Sequence, residues 1–192
     1  AQSLIKEKEI ALLTDLSKGE GFKVIVNDAD VVNKLIVIDK LLFTEQSNLG
    51  NKWRNFLKLV LVPFQSILLK KFYKKYPSSI FHAHGMYYMF IASIAGVPYV
   101  GTPQGSELLV RPFKSRFYKL FAKKALKDAK AVTVDSVNMR EKAKIIGGID
   151  AHIIQNGVDI NSIQLYMDQV TTTLRTNYCS IRGITPLYRI KQ

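Results

Sequence analysis

The sequence predicts an α/β domain built on a parallel sheet, and three observations carry that expectation. Between Ile80 and Asp159, short apolar runs alternate with stretches of helical length and periodicity. Each apolar run ends in polar, glycine-bearing residues, which is where an open parallel sheet places its ligand site. A hydrophobic content of 47% over 192 residues suffices for a buried core and suits one domain, with room for a fragment of another.

Residues 1–16 read as a helix with Leu4, Ile5, Leu12, Leu13 and Leu16 inward, halted by Gly19 and Gly21. Residues 22–26 and 35–38 read as strands. A doubly wound sheet begins with a strand and a glycine-rich turn, whereas this chain opens in the helix, so the first strand and its loop are expected to be missing. Residues 48–76 form a long helix bent or interrupted at Pro63 and stopped by Pro77. Strands follow at 80–82, 98–101, 131–135 and 152–154, separated by helices near 86–95, 113–126 and 136–146. No internal repeat or low-complexity tract is visible. Residues 85–106 carry no charge and have the length of a membrane span, but Gly96, Pro98, Gly101 and Pro103 divide them into a helix and a short strand, the pattern of a buried βα unit.

The formal net charge is +13. From Gln46 to Lys127 there are fourteen Lys and Arg and one acid, Glu107, while the rest of the chain is balanced. The excess lies in residues 52–75 and 111–127, and a basic face of that kind implies an anionic partner. One cysteine, Cys179, excludes an internal disulfide framework and fits a reducing compartment. No secretory leader pattern opens the sequence at Ala1, and the first residue is not Met.

The strand ends carry ordered motifs: Phe81-His82-Ala83-His84-Gly85, then Gly96-Val97-Pro98 with Gln104-Gly105-Ser106-Glu107 after it, then Asp128-Ala129 leading to Asp135-Ser136, then Asn156-Gly157-Val158-Asp159. Taken in that order, the set resembles the N-terminal domain of a family 4 glycosyltransferase with the GT-B fold. The resemblance implies a Rossmann-like doubly wound parallel sheet over residues 1–163, an interdomain linker over 164–177, and at 178–192 the start of an absent C-terminal domain that binds the nucleotide sugar.

His82 and His84 are two apart and share a strand face. No Cys, Asp or Glu stands near enough in sequence to complete a metal shell, so no metal is expected. His82 reads either as a packed, hydrogen-bonded sheet residue or as a catalytic one, and His84 either as a cleft residue or as a structural one. At Gln104-Gly105-Ser106-Glu107, Gly105 lets a backbone approach a ligand closely, Ser106 can cap the next turn, and Glu107 adds the only carboxylate of the basic block. The alternative is a capped turn without a ligand. Many members of the resembling family have His where this chain has Gln104. Glutamine retains hydrogen bonding to sugar hydroxyls but cannot shuttle protons. Ser136 reads as a helix cap, and Asn156 and Gly157 as turn chemistry that the resemblance puts at the cleft. Phe113, Phe117, Leu120 and Phe121 follow core periodicity, leaving Lys114, Arg116, Lys119 and Lys123 for a solvated face or for a membrane surface.

The resemblance therefore implies the acceptor side of a retaining, hexosyltransferase-like enzyme. It would move sugar from a nucleotide diphosphate donor to a glycan or lipid-linked acceptor in cell-envelope polysaccharide biosynthesis, such as capsule or lipopolysaccharide. The fragment by itself should be inactive, with substrate-binding residues His84, Gln104, Gly105, Ser106, Glu107, Asn156 and Gly157, no assigned catalytic residue and no cofactor. It is expected to be cytoplasmic and peripheral on the inner face of the membrane. A nucleotide-sugar epimerase of the same architecture is the enzyme alternative, and an α/β module for nucleic acid or anionic lipid the non-enzymatic one. The absence of a recognised binding motif argues against nucleic acid.

Overall fold

The computed structural model describes residues 11–14, 31–34 and 48–155. Two strands, β1 (Ala11–Thr14) and β2 (Val31–Lys34), pair in parallel as a two-stranded sheet. The helix expected over residues 1–16 is thus corrected at Ala11–Thr14. Ala-Leu-Leu-Thr is too short for its periodicity to separate helix from strand, and pairing with Val31–Lys34 decides. The strands expected at 22–26 and 35–38 lie outside the described residues, as do the proposed linker and second-domain segments.

Helix α1 (Asn48–Lys75) is a single helix through Pro63. After it come β3 (Phe81–His84), α2 (Met86–Ala95), β4 (Tyr99–Thr102), the short helices α3 (Gly105–Leu109) and α4 (Arg111–Lys114), α5 (Arg116–Asp128), β5 (Ala131–Val134), α6 (Val137–Gly147) and β6 (His152–Ile153). Strands β3 to β6 form a parallel four-stranded sheet in chain order. Successive right-handed crossovers in one direction put their helices on one side of such a sheet.

Period-2 alternation sorts the strands. Ala83, Tyr99, Gly101, Val132 and Val134 are buried under helices. Tyr99 runs under α5 and donates its hydroxyl to the Ala125 carbonyl at 2.5 Å, and burial, with the Asp128 charge adding to it, raises its pKa above the ordinary tyrosine range. Gly101 lets α2 sit close: a Cβ there would fall 2.4 Å from Met89 Cε. Gly147 does the same between α5 and α6, where a Cβ would fall 2.8 Å from Leu126 Cβ. Helix α2 ends at Gly96 in the left-handed conformation (φ 67°), a position that suits glycine. It is flanked by α1, through Ser66 Oγ donating to Ile91 O at 3.2 Å, and by α5, through Phe90 against Phe121 at 3.9 Å between ring centres.

The single helix expected over 113–126 is two helices, broken at Ser115, whose extended backbone starts α5 and whose Oγ accepts the Tyr118 N–H at 3.2 Å. The orientation expected for its apolar residues is also corrected. Phe113, Phe117 and Leu120 are 52%, 66% and 68% exposed, and Phe121 is half-buried. The inward face of α5 is made by Ala122, Ala125 and Leu126, small enough to let the helix lie against α2 and the sheet.

Candidate functional site

The carboxyl ends of β3 and β4 are joined by one carboxylate. Gly85, just past β3, has φ 91° and ψ 149°, a conformation open in practice only to glycine. Its N–H donates to the Thr102 carbonyl at 2.8 Å. The next N–H, of Met86 at the start of α2, donates to Glu107 Oε2 at 2.8 Å, and the Gln104 N–H donates to the same oxygen at 2.9 Å. Glu107 is buried and sits where the N-terminus of α2 concentrates unsatisfied donors and positive potential. The helix end that would attract a ligand anion is occupied from within the protein. Glu107 therefore positions the two loops, and they present His84, Gln104 and Ser106, all exposed, at the same end of the sheet.

One reading of this loop changes. Gln104 occupies the cap position of α3, and Ser106 lies inside that helix, so Ser106 does not cap it. Among the described residues, a Cβ on Gly105 would meet only Met139 Sδ, at 4.0 Å, so none of them crowds that position. Behind the loop, burial pushes the Tyr118 hydroxyl up to about 12, with the Glu107 charge adding to it.

The second face of the sheet carries all three histidines of the chain. Strand register aligns His82 with Val100, His84 with Thr102, and Thr133 with His152. His82 Nε2 and Thr102 Oγ1 share a hydrogen bond at 2.7 Å, and Thr102 Oγ1 shares another with Thr133 Oγ1 at 2.5 Å. The His82 and His84 rings meet edge to face, 6.3 Å between centres. His82 is hydrogen-bonded as expected but exposed rather than packed. Its partial desolvation, and secondarily His84, hold it below the usual histidine value of 6.5. Thr102, Thr133 and His152 belong to this polar row although sequence reasoning did not single them out. Their signal was the alternate spacing on each strand, at Val100/Thr102 and Ala131/Thr133.

Among the described residues, no three His, Cys, Asp or Glu stand close enough to hold a metal ion. Ser136 takes the cap position of α6 but makes no capping hydrogen bond, and Asp135 beside it is exposed. A shallow hollow along α6 is lined by Val137, Arg140, Glu141, Lys144 and Asp150. Its strongest charges are already matched, because Arg140 grips Asp150 with two hydrogen bonds of 2.7 and 2.9 Å. Asn156 and Gly157 lie outside the described residues. Lys114, Arg116, Lys119 and Lys123 are all exposed.

A family model described as Glycosyltransferase Family 4 matches residues 47–162, more than half of the chain and all of its four-stranded sheet. The chain belongs to glycosyltransferase family 4. No curated protein matches it. In this family 4 glycosyltransferase domain, the parallel four-stranded sheet under its helices agrees with a Rossmann-like GT-B N-terminal domain. The strand-end loops held by Glu107 fall within the matched region.

Proposed function

We propose that this domain forms the acceptor-side wall of a retaining, hexosyltransferase-like enzyme. The enzyme transfers sugar from a nucleotide diphosphate donor to a glycan or lipid-linked acceptor in cell-envelope polysaccharide biosynthesis. The observation that carries the reading is the pair of loops at the ends of β3 and β4, locked by Glu107 so that His84, Gln104 and Ser106 stand exposed together in a domain of this family. The amide of Gln104 and the hydroxyl of Ser106 donate to and accept from sugar hydroxyls, which suits positioning rather than proton transfer. Loss of an anionic diphosphate needs cationic or dipolar stabilisation. Since Glu107 already fills the N-terminus of α2, that stabilisation is assigned to the facing domain of a two-domain enzyme.

The basic surface gives the acceptor its setting. Exposed Lys114, Arg116, Lys119 and Lys123 would hold the domain peripherally on the anionic inner face of the cytoplasmic membrane, where a lipid-linked acceptor resides.

The test uses two proteins. The 192-residue chain is expected to show no turnover with any nucleotide sugar. In an enzyme that pairs this domain with its nucleotide-sugar domain, Gln104→Ala is expected to lower kcat/KM by about tenfold or more, the loss of one or two sugar hydrogen bonds in the transition state. Turnover by the chain alone, or an unchanged kcat/KM in the variant, overturns the reading.

A further inference from the structure

We propose that Arg111, seated on the ring of Tyr118 beside the loop that follows β4, binds a phosphate group of the acceptor. The inference deepens the transferase reading above and rests on it. There the diphosphate of the donor is assigned to the facing domain, so the phosphate left for this one is the linkage of a lipid-linked acceptor. Chain geometry brings Arg111 to the place. Val110, whose N–H donates to the Ser106 carbonyl at 3.2 Å, joins α3 to α4, and Arg111 opens α4 directly after it. The Ser115 N–H then closes on the Arg111 carbonyl at 3.2 Å, and Ser115 starts α5. The chain thus turns back on itself, and the guanidinium carbon of Arg111 lies 5.9 Å from the centre of the Tyr118 ring, in the first turn of α5. Helix α5 returns the chain from β4 to the parallel strand β5, so its first turn is at the carboxyl end of the sheet, where Gln104 and Ser106 are exposed. Glu107 and Arg111 act on the Tyr118 hydroxyl in opposite senses, the acid raising its pKa and the cation lowering it, as neighbours on either hand would.

Charge and shape select the ligand. Arg111 is exposed, and the ion pairs among the described residues, Lys124 with Asp128 and Arg140 with Asp150, do not include it. Glu107, the nearest acid in sequence, gives its Oε2 to two backbone N–H groups. The guanidinium is left with donors for a ligand. Its planar fork matches two oxygens of one phosphate, whereas a lysine ammonium is a mobile point charge. Lys114 and Arg116, both exposed and close by in the chain, add positive potential. A neutral sugar gains little from that potential, and a carboxylate carries less charge and fewer oxygens than a terminal phosphate.

Soluble probes read this contact without a bilayer. The 192-residue chain is titrated calorimetrically at low salt with inorganic pyrophosphate, with monomeric farnesyl diphosphate and with uridine diphosphate. Arg111→Ala and Arg111→Lys are each expected to weaken the first two about tenfold, the second because the charge stays and the fork goes. Lys127→Gln, at an exposed position in the last turn of α5, removes as much charge as Arg111→Ala and should change affinity less than about twofold. Tyr118→Phe keeps the ring and the affinity, while Tyr118→Leu removes the seat and should match Arg111→Ala. Circular dichroism checks the fold of each variant, and the exposed Arg111 variants decide alone should Tyr118→Leu unfold. No binding of pyrophosphate by the parent, parent-like binding by Arg111→Lys, or equal weakening by Lys127→Gln and Arg111→Ala overturns the proposal. Tighter binding of uridine diphosphate than of farnesyl diphosphate, with the same loss in Arg111→Lys, assigns Arg111 to the donor and also overturns it. The transferase reading is judged by turnover with Gln104→Ala, so either can fail while the other stands.

Discussion

Glu107 shows how much one side chain can hold. Its Oε2 takes the N–H groups that open α2 and α3, so truncation leaves two donors without an acceptor in a buried place. Glu107→Ala is expected to destabilise the domain by about 3 kcal/mol, whereas Glu107→Gln, which keeps an acceptor oxygen, should cost about half as much. Urea titration of both variants measures the difference; equal, small losses would show that the loops are held otherwise. The sequence marked Glu107 by its isolation among cations, but its partners were illegible because both are backbone groups, which no residue type announces. His82 supplies a second test. Its folded-state value lies below 6.5, so the unfolded chain binds the proton more readily. Stability from this group is complete above 6.5 and declines as pH falls below it. Urea midpoints between pH 5 and 7.5 should therefore fall less steeply toward acid in His82→Gln than in the parent. Identical slopes would remove the effect.

At the level of elements, glycine decides spacing. Gly147 closes the contact between α5 and α6, where an added Cβ would meet Leu126 Cβ, an atom fixed to its backbone. Gly147→Ala should therefore destabilise by about 1–3 kcal/mol, although the same exchange in an open helix stabilises by roughly 1 kcal/mol. Thermal or urea unfolding gives the sign, and a gain in stability would mean that the helices can separate freely. Helix α2 was legible to its ends because Gly85 and Gly96 bracket an uncharged helical run. The Ala11–Thr14 strand was not legible, since four residues are fewer than two helical turns and their pairing partner lies seventeen positions beyond Thr14 at its start. Nor was the break at Ser115, where one serine hydroxyl starts a new helix inside a continuous periodic pattern.

For the molecule as a whole, the uneven charge is the property with the longest reach. Like charges over residues 52–75 and 111–127 have few acids to neutralise them: Asp128 pairs with Lys124 at 2.8 Å, and Glu107 is buried and committed to backbone donors. Replacing Lys114, Arg116, Lys119 and Lys123 together with Gln is expected to leave folding intact, since all four are exposed, and to weaken binding to anionic vesicles about tenfold or more at low salt. For the parent, binding should fade toward about 0.5 M salt, where screening shortens to a few ångströms. Cosedimentation reads both effects. Equal binding by parent and variant would make these cations a solvated face and no more.

From the sequence alone came the alternation of strand and helix, the polar residues at strand ends, the family and the basic excess. Each of these depends on residue type and on spacing along the chain, quantities that a linear string contains. The tertiary structure decided the rest. It put Glu107 against two helix starts, aligned Thr102 with Thr133 and Thr133 with His152 beside the paired histidines, and turned Val62 and Leu69 of α1 inward. Period alone says that a helix has an apolar face. Which face is covered depends on the neighbour that packs against it, and α2 takes the side of Val62 and Leu69.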